Sequence, residues 1–263
     1  MNPFRKNVTL TVGVLTILTF QGNSSAQNSP APSVAPGGPT GAAAPERPGR
    51  SFTPDHPHTL TSYFTPASSS PKSPNEDGFL QRWLLLEPIN KPNRGNTVFT
   101  DSYVRANLTT NYFPDQFTVI PRDGDKVTVG TNELAWHALD SELFNVKLFR
   151  FADGVNKQTY GVIFWAVTVV NCPQEMKNVR LAVGSNSASM WWLNGQEAVM
   201  LSGDRRMVMD DCVSKRLTLH QGRNVIRGAV INGPGLSDFC VRFIDENSQP
   251  IKGLTLSLDN AGK

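Results

Sequence analysis

Residues 160–170 form a nearly unbroken apolar run, rich in Val, Ile, Phe and Trp, with Gly161 near its start and Asn171-Cys172-Pro173 at its end. β-Branched residues between breakers predict a central strand buried on both faces rather than a helix. A shorter run follows at 179–183, and then Met190-Trp191-Trp192-Leu193 leads into Asn194-Gly195. That dipeptide predicts a two-residue type I′ hairpin, because both central residues of such a turn take φ > 0. Residues 216–219, the turn 220–224 and the run 225–231 read as a second hairpin-like unit, and 239–243 as a further strand.

Upstream the same pattern is weaker. Residues 80–86 read as an opening strand around Trp83, 97–106 as a strand or an extended loop, and 134–138 as another strand. Residues 117–120 and 126–129 flank Pro121-Arg122-Asp123-Gly124-Asp125, whose turn chemistry predicts a hairpin. Helical periodicity is confined to a short stretch at 141–145. The sum is an all-β, antiparallel sandwich of about eight to ten strands. Strands do not alternate with long helices, which argues against an α/β enzyme.

The N-terminal segment has a different character. Arg5 and Lys6 precede an uncharged apolar stretch at 8–20, and Ser24 and Ala26 offer small residues for cleavage before Gln27. This is the pattern of a secretory signal peptide over 1–26, short for a membrane span, and it predicts a periplasmic or secreted protein with no membrane attachment after cleavage; a retained N-terminal anchor is the alternative. No cysteine follows the run to carry a lipid. Residues 27–77 are rich in Pro, Ser, Ala and Gly and read as a disordered linker, because such a stretch buries too little apolar surface to offset its ordering entropy. His56 and His58 stand there without the cysteine or the carboxylate cluster of a metal site. Residues 78–263 then form the sandwich domain, long enough for its own core.

Charge narrows the partners. Residues 78–263 carry 20 Lys and Arg against 18 Asp and Glu with no basic run, which disfavours nucleic acid and suits a neutral polymer. The three cysteines, Cys172, Cys212 and Cys240, show neither zinc spacing nor Cys-x-x-Cys. One disulfide is open to them in an oxidising compartment, with three possible pairings.

Catalytic chemistry finds little support. The nucleophile elbow G-x-S-x-G is absent, and the domain's histidines are His137 and His220, of which only His137, beside Trp136, is a candidate general base. No catalytic residue is assigned. Asp204, Asp210 and Asp211 are weak candidates for a structural calcium, which prefers six to eight oxygens; no other cofactor is expected. Binding needs less, since sugar C–H faces lie on aromatic rings and hydroxyls meet amides, carboxylates and guanidinium groups. The candidate ligand contacts are Trp191, Trp136, Tyr160, Asn194, Arg205, Arg206, Asn232 and Asp238.

The order Val183-Gly184-Ser185-Asn186, Trp192-Leu193-Asn194-Gly195, Leu217-x-Leu219-x-x-Gly222-x-Asn224 and Phe239-x-Val241-Arg242-Phe243 resembles the galactose-binding-like jelly rolls attached to bacterial glycoside hydrolases and polysaccharide esterases. The wording at 161–166 and 190–195 is similar to the non-catalytic region of Bacteroidetes acetylxylan-esterase-like proteins, over roughly residues 78–258. The resemblance implies an exported accessory module that binds plant cell-wall polysaccharide of the xylan type and works with a separately encoded esterase or glycoside hydrolase. A carbohydrate esterase of acetylxylan or feruloyl type, or a fragment of one, is the alternative, and an assembly or adhesion role is a third. The end of the chain soon after Leu258 leaves no room for an α/β-hydrolase domain and favours the first reading.

Adjacent strand residues face opposite sides of a sheet, so Trp191 and Trp192 cannot share one core. In the family it resembles, the tryptophan directly before Leu-Asn-Gly is the more regular feature. That implies Trp192 for the core and leaves Trp191 as the sugar platform, with Trp83 and Trp165 also in the core.

Overall fold

The computed structural model describes residues 60–93 and 95–258. The expected signal peptide, and the linker as far as residue 59, lie outside the described residues. In chain order the strands are β1 (Phe64–Pro66), β2 (Arg82–Asn90), β3 (Lys126–Val129), β4 (Asn132–Ser141), β5 (Val146–Lys147), β6 (Val162–Cys172) and β7 (Met176–Ser185). They continue with β8 (Ala188–Leu193), β9 (Gln196–Leu201), β10 (Cys212–Val213), β11 (Leu217–Leu219), β12 (Gly222–Asn232), β13 (Asp238–Ile244) and β14 (Thr255–Ser257). Two helices, α1 (Asp101–Leu108) and α2 (Leu148–Gly154), interrupt them.

All strand pairs are antiparallel and fall into two sheets, so the sandwich is as expected. The larger has nine strands along the order β1-β4-β2-β6-β12-β8-β9, with β14 added to β6 and β3 to β4. The smaller has five, β10-β7-β13-β5 with β11 added to β7. The strand number exceeds the eight to ten expected because β5 and β10 are two-residue pairings and β1, β11 and β14 three-residue ones, too short to leave a periodic signal.

β6 holds the centre of the large sheet and is buried on both faces. Val162, Phe164 and Ala166 enter the core between the sheets, whereas Ile163, Trp165 and Val167 enter a second cluster on the opposite face. The second cluster exists because that face is roofed by α1 and the segments on either side of it, which contribute Phe99, Val104, Leu108 and Phe113. Thr100 caps α1, its hydroxyl accepting from the Tyr103 N–H, and Phe99 before the cap and Val104 after it bury together as a hydrophobic staple. The expected strand or loop at 97–106 is therefore a 3-10 turn, Asn96–Val98, followed by this helix.

Other expectations shift for identifiable reasons. Residues 117–120 form no strand; the buried guanidinium of Arg227 donates to the carbonyls of Thr118 and Val119 and pins that segment onto the large sheet. The turn 121–125 lies against β4 instead of closing a hairpin, with the Ala138 N–H donating to Asp123 (2.7 Å), and β3 pairs with β4 across Gly130 and Thr131. Ser141 ends β4 and residues 142–145 are bends, and the helix comes later as α2. The unit 216–231 is not a hairpin either: β11 joins β7 in the small sheet while β12 joins β6 and β8 in the large one. The buried Asn224 side chain makes the crossing possible, accepting from the His220 N–H (2.9 Å) and donating to the His220 carbonyl (2.8 Å).

The folded domain also begins before residue 78. Phe64 is buried in the inter-sheet core, β1 pairs with β4, and Lys72 bridges to Leu256. Arg82, buried and paired with Asp140 (2.8 Å), further donates to the Ser68 hydroxyl (3.2 Å) and the Ser70 carbonyl. A Pro- and Ser-rich composition conceals these anchors, since one phenylalanine and a few backbone acceptors suffice to order the stretch.

The Asn194-Gly195 turn forms as expected, with φ of 51° and 81°. The tryptophans before it do separate by face, but not into one buried and one free ring. Trp191 is fully enclosed between the sheets, edge-on to Trp83 (6.0 Å) and Phe239 (4.9 Å), while Trp192 joins Phe117 (5.5 Å) and Trp165 (5.5 Å) under the helical roof. The three cysteines are free thiols. Burial in the small sheet pushes the Cys240 thiol up to about 11.

Candidate functional site

Most of the expected ligand contacts are structural. Trp191 and Trp136, at 0% and 1% exposure, present no face to a ligand. Trp136 packs edge-on against Phe113 (6.2 Å) beneath the α1 roof, which is the feature that hides the outer face of the large sheet. Asn194 ties its hairpin to the start of β12, accepting from the Val225 N–H (2.8 Å) and donating to Asn224 (3.0 Å), at the end of that strand remote from Asn232.

Asn232 is buried and donates to the carbonyls of Thr159 (3.1 Å) and Gly235 (3.3 Å) while accepting from Ser187 (3.0 Å), so it ties three loops together. Asp238 is buried too, with Lys147 at 2.7 Å and Asn145 at 3.3 Å. Burial pushes its carboxyl up, and Lys147 and Arg150 oppose the shift. Both residues order the end of the sandwich rather than face solvent. Arg205 is engaged by Asp211 (2.6 Å), and Arg206 is exposed.

The three candidate calcium carboxylates point to separate partners. Asp204 accepts from Asn96 (2.7 Å), Asp210 pairs with Arg242, and Asp211 with Arg205. No group of three His, Cys, Asp or Glu residues that could hold a metal ion occurs among the described residues.

Tyr160 remains. It is 47% exposed, tilted on Phe149 (5.6 Å), and Arg150 lies over the Phe149 ring (5.6 Å) and the Tyr63 ring (5.3 Å). The result is a half-open aromatic row at the start of β6, stiffened by cation–π contacts. A concavity of about 340 Å³ is lined among others by Asn90, Thr131, Asn132, Glu133, Lys157 and Gln158. Gln158 links the two, donating its side-chain N–H to the Tyr160 carbonyl (2.5 Å). The end of β2, the β3–β4 turn and the segment after α2 thus bring two asparagines, a glutamine, a threonine, a carboxylate and an ammonium to one hollow. Sequence reading misses all six, because each sits singly in an ordinary turn or strand end; only the polarity of 131–133 marks the place.

Glu87 anchors Lys157, one of the residues lining this hollow. Its carboxylate accepts from Lys157 (3.0 Å) and from the Ala135 N–H (3.1 Å), with His137 at 3.5 Å. Burial would raise its pKa, but Lys157, the Ala135 N–H and His137 together hold it below its ordinary 4.5. Such a carboxylate contributes stability that is complete above the ordinary value and is lost as pH falls through the lowered one. Glu87→Gln is therefore expected to cost about 1–3 kcal/mol at pH 7 and to flatten part of the stability loss as pH falls below the ordinary carboxylate value of 4.5. Urea unfolding at stepped pH measures both; an unchanged acid limb would remove this role.

His137, the one candidate general base, packs edge-on against Phe151 (5.5 Å) and faces Glu87. Ser185, after Gly184, donates to the Asn186 carbonyl (2.9 Å), and Ser202, before Gly203, donates to Asp101. No helix among the described residues is long and apolar enough to cross a membrane.

No family model and no curated protein matches the chain. Among solved structures it is similar to a PA14 sugar-binding domain from an RTX adhesin, at 11% identity and a TM-score of 0.37, covering 65% of this chain and 94% of that one. It is also similar to the PA14 domain of the MpAFP antifreeze protein, at 11% identity and a TM-score of 0.34, covering 76% and 90%. A β-glucosidase from Kluyveromyces marxianus shares 14% identity at a TM-score of 0.31, over 62% of this chain and 14% of that enzyme. Likenesses this distant leave the fold to be read from the strands themselves and the function from the chain's own side chains.

Proposed function

We propose that this protein is an exported, non-catalytic carbohydrate-binding module that holds plant cell-wall polysaccharide of the xylan type for a separately encoded esterase or glycoside hydrolase. The observation that carries the binding role is the hollow of amides, joined through Gln158 to the backbone of Tyr160, whose ring is exposed. Amides and a threonine hydroxyl offer paired donors and acceptors to sugar hydroxyls, and Tyr160 offers a flat face to the C–H side of a ring. The wider setting, xylan and a partner enzyme, is supported by the sequence resemblance of 161–166 and 190–195.

The reading predicts that Tyr160→Ala weakens retention on neutral xylan about fivefold to tenfold, the size of one aromatic contact, without altering the unfolding midpoint. Affinity electrophoresis through soluble xylan, beside cellulose and mixed-linkage glucan, measures it. Unaltered retention would move the site elsewhere, and failure to bind any glycan would end the reading. Release of acetate from acetylated xylan by the purified protein, lost on changing His137, would establish the esterase alternative.

A further inference from the structure

A second concavity, larger than the first at about 540 Å³, lies over the outer face of the small sheet and is lined by Arg180, Ser214, Lys215, Arg216 and Glu246. Its charge follows from strand alternation. Along β7, Val179, Leu181 and Val183 point into the inter-sheet core, so Arg180 points outward. Ser214, between β10 and β11, is fastened to the same strand: its N–H donates to the Leu181 carbonyl (2.9 Å) and its hydroxyl accepts from the Leu181 N–H (2.9 Å). That clamp sets Lys215 and Arg216 beside Arg180.

The three cations are held differently. Arg180 donates to the carbonyls of Asp245 (2.8 Å) and Glu246 (3.3 Å), which fixes its guanidinium without neutralising it. Arg216 is paired with the Glu246 carboxylate (2.7 Å), and Lys215 makes no ion pair among the described residues. Three positive groups thus face one carboxylate. Like charges brought together repel, and the arrangement is relieved by an oxyanion, which guanidinium groups already oriented by other bonds receive at little entropic cost.

We infer that this pocket binds the anionic substituent of an acidic sugar, a carboxylate or a sulfate, as a subsite separate from the hollow that Gln158 joins to Tyr160. The inference rests on the carbohydrate-binding reading for the sugar and on the pocket alone for the anion. A volume of about 540 Å³ is of the size that holds a small ligand, such as the acidic sugar unit that carries the anion. A polynucleotide would need a track of such charges, whereas this pocket is a single cluster that includes Glu246 and the rest of the domain is near neutral.

The test titrates the full chain calorimetrically with three soluble xylo-oligosaccharides: uncharged, glucuronate-bearing and sulfated. The double variant Lys215→Ala, Arg216→Ala changes two exposed side chains, and its unfolding midpoint checks that it folds. Expected is an affinity for at least one acidic oligosaccharide that drops about tenfold in the variant and declines with salt, while the uncharged one is unaffected. Which acidic arm responds identifies carboxylate or sulfate. No preference for either acid, or a preference that survives the double variant, would overturn the inference and leave the neutral-sugar reading intact. Acidic binding that persists while neither neutral binding nor a Tyr160→Ala effect is found would instead remove the proposed neutral site and keep this one. Equal, variant-sensitive binding of a short DNA duplex would show a general polyanion surface and overturn the sugar assignment.

Discussion

Trp191→Ala is expected to cost about 3–5 kcal/mol, the range for deleting a large aromatic side chain from a closed core. The ring is fully buried, donates its indole N–H to Ser189 (3.0 Å), and stands edge-on to both Trp83 and Phe239, so the substitution strips a neighbour from two other large rings at once. Each such aromatic pair adds about 0.5–1.5 kcal/mol beyond area burial. Urea unfolding followed by far-UV circular dichroism measures the loss. If Trp191 were instead a sugar platform, the variant would keep its stability and lose glycan affinity, and that pattern would refute the burial described above.

A complementary substitution probes the same contact from the other side. Gly228 in β12 is the cross-strand partner of Trp191, and a Cβ added there would lie 2.2 Å from Cζ3 and 2.4 Å from Cε3 of the indole. Trp191 cannot retreat, because Trp83 and Phe239 close the space behind it. Gly228→Ala should therefore cost about 1–3 kcal/mol or more by overpacking. In a Trp191→Ala background the obstruction is gone and the penalty should nearly vanish. A double-mutant cycle reads this coupling directly; equal penalties in both backgrounds would mean that the glycine serves the backbone and not the ring.

The same contact illustrates which parts of the fold are legible in the sequence. Strand alternation correctly separates Trp191 from Trp192, and the Asn194-Gly195 turn, β6, β13 and the sandwich class all follow from periodicity and turn chemistry. Those signals are local, and the structure obeys them. The features that escape depend on distant residues. The roof formed by α1 and the segment through Phe117 makes a second apolar cluster out of a face that alternation alone would leave wet, and so buries Trp136. The crossing at Asn224 resembles a hairpin until β11 and β12 are seen to enter different sheets. Phe64 anchors a stretch whose composition reads as linker, because one buried ring outweighs several prolines.

The candidate site is less legible than the fold. Tyr160 is visible in the sequence as a ring at a strand entrance. Asn90, Asn132 and Gln158 are not, since three unrelated segments deliver them and no spacing announces their meeting. Asn232 and Asp238 do lie at one end of the sandwich, as their turn-rich surroundings suggest, but their polar atoms hold loops in place instead of meeting a ligand.

All five tryptophans, Trp83, Trp136, Trp165, Trp191 and Trp192, lie inside the two apolar clusters. Their fluorescence is consequently a gauge of whether the protein is intact and a poor gauge of whether it holds a ligand. A quenching titration of the kind commonly used for sugar-binding proteins would return silence even at saturation, and tyrosine absorbance or heat would be the channels through which occupancy is heard.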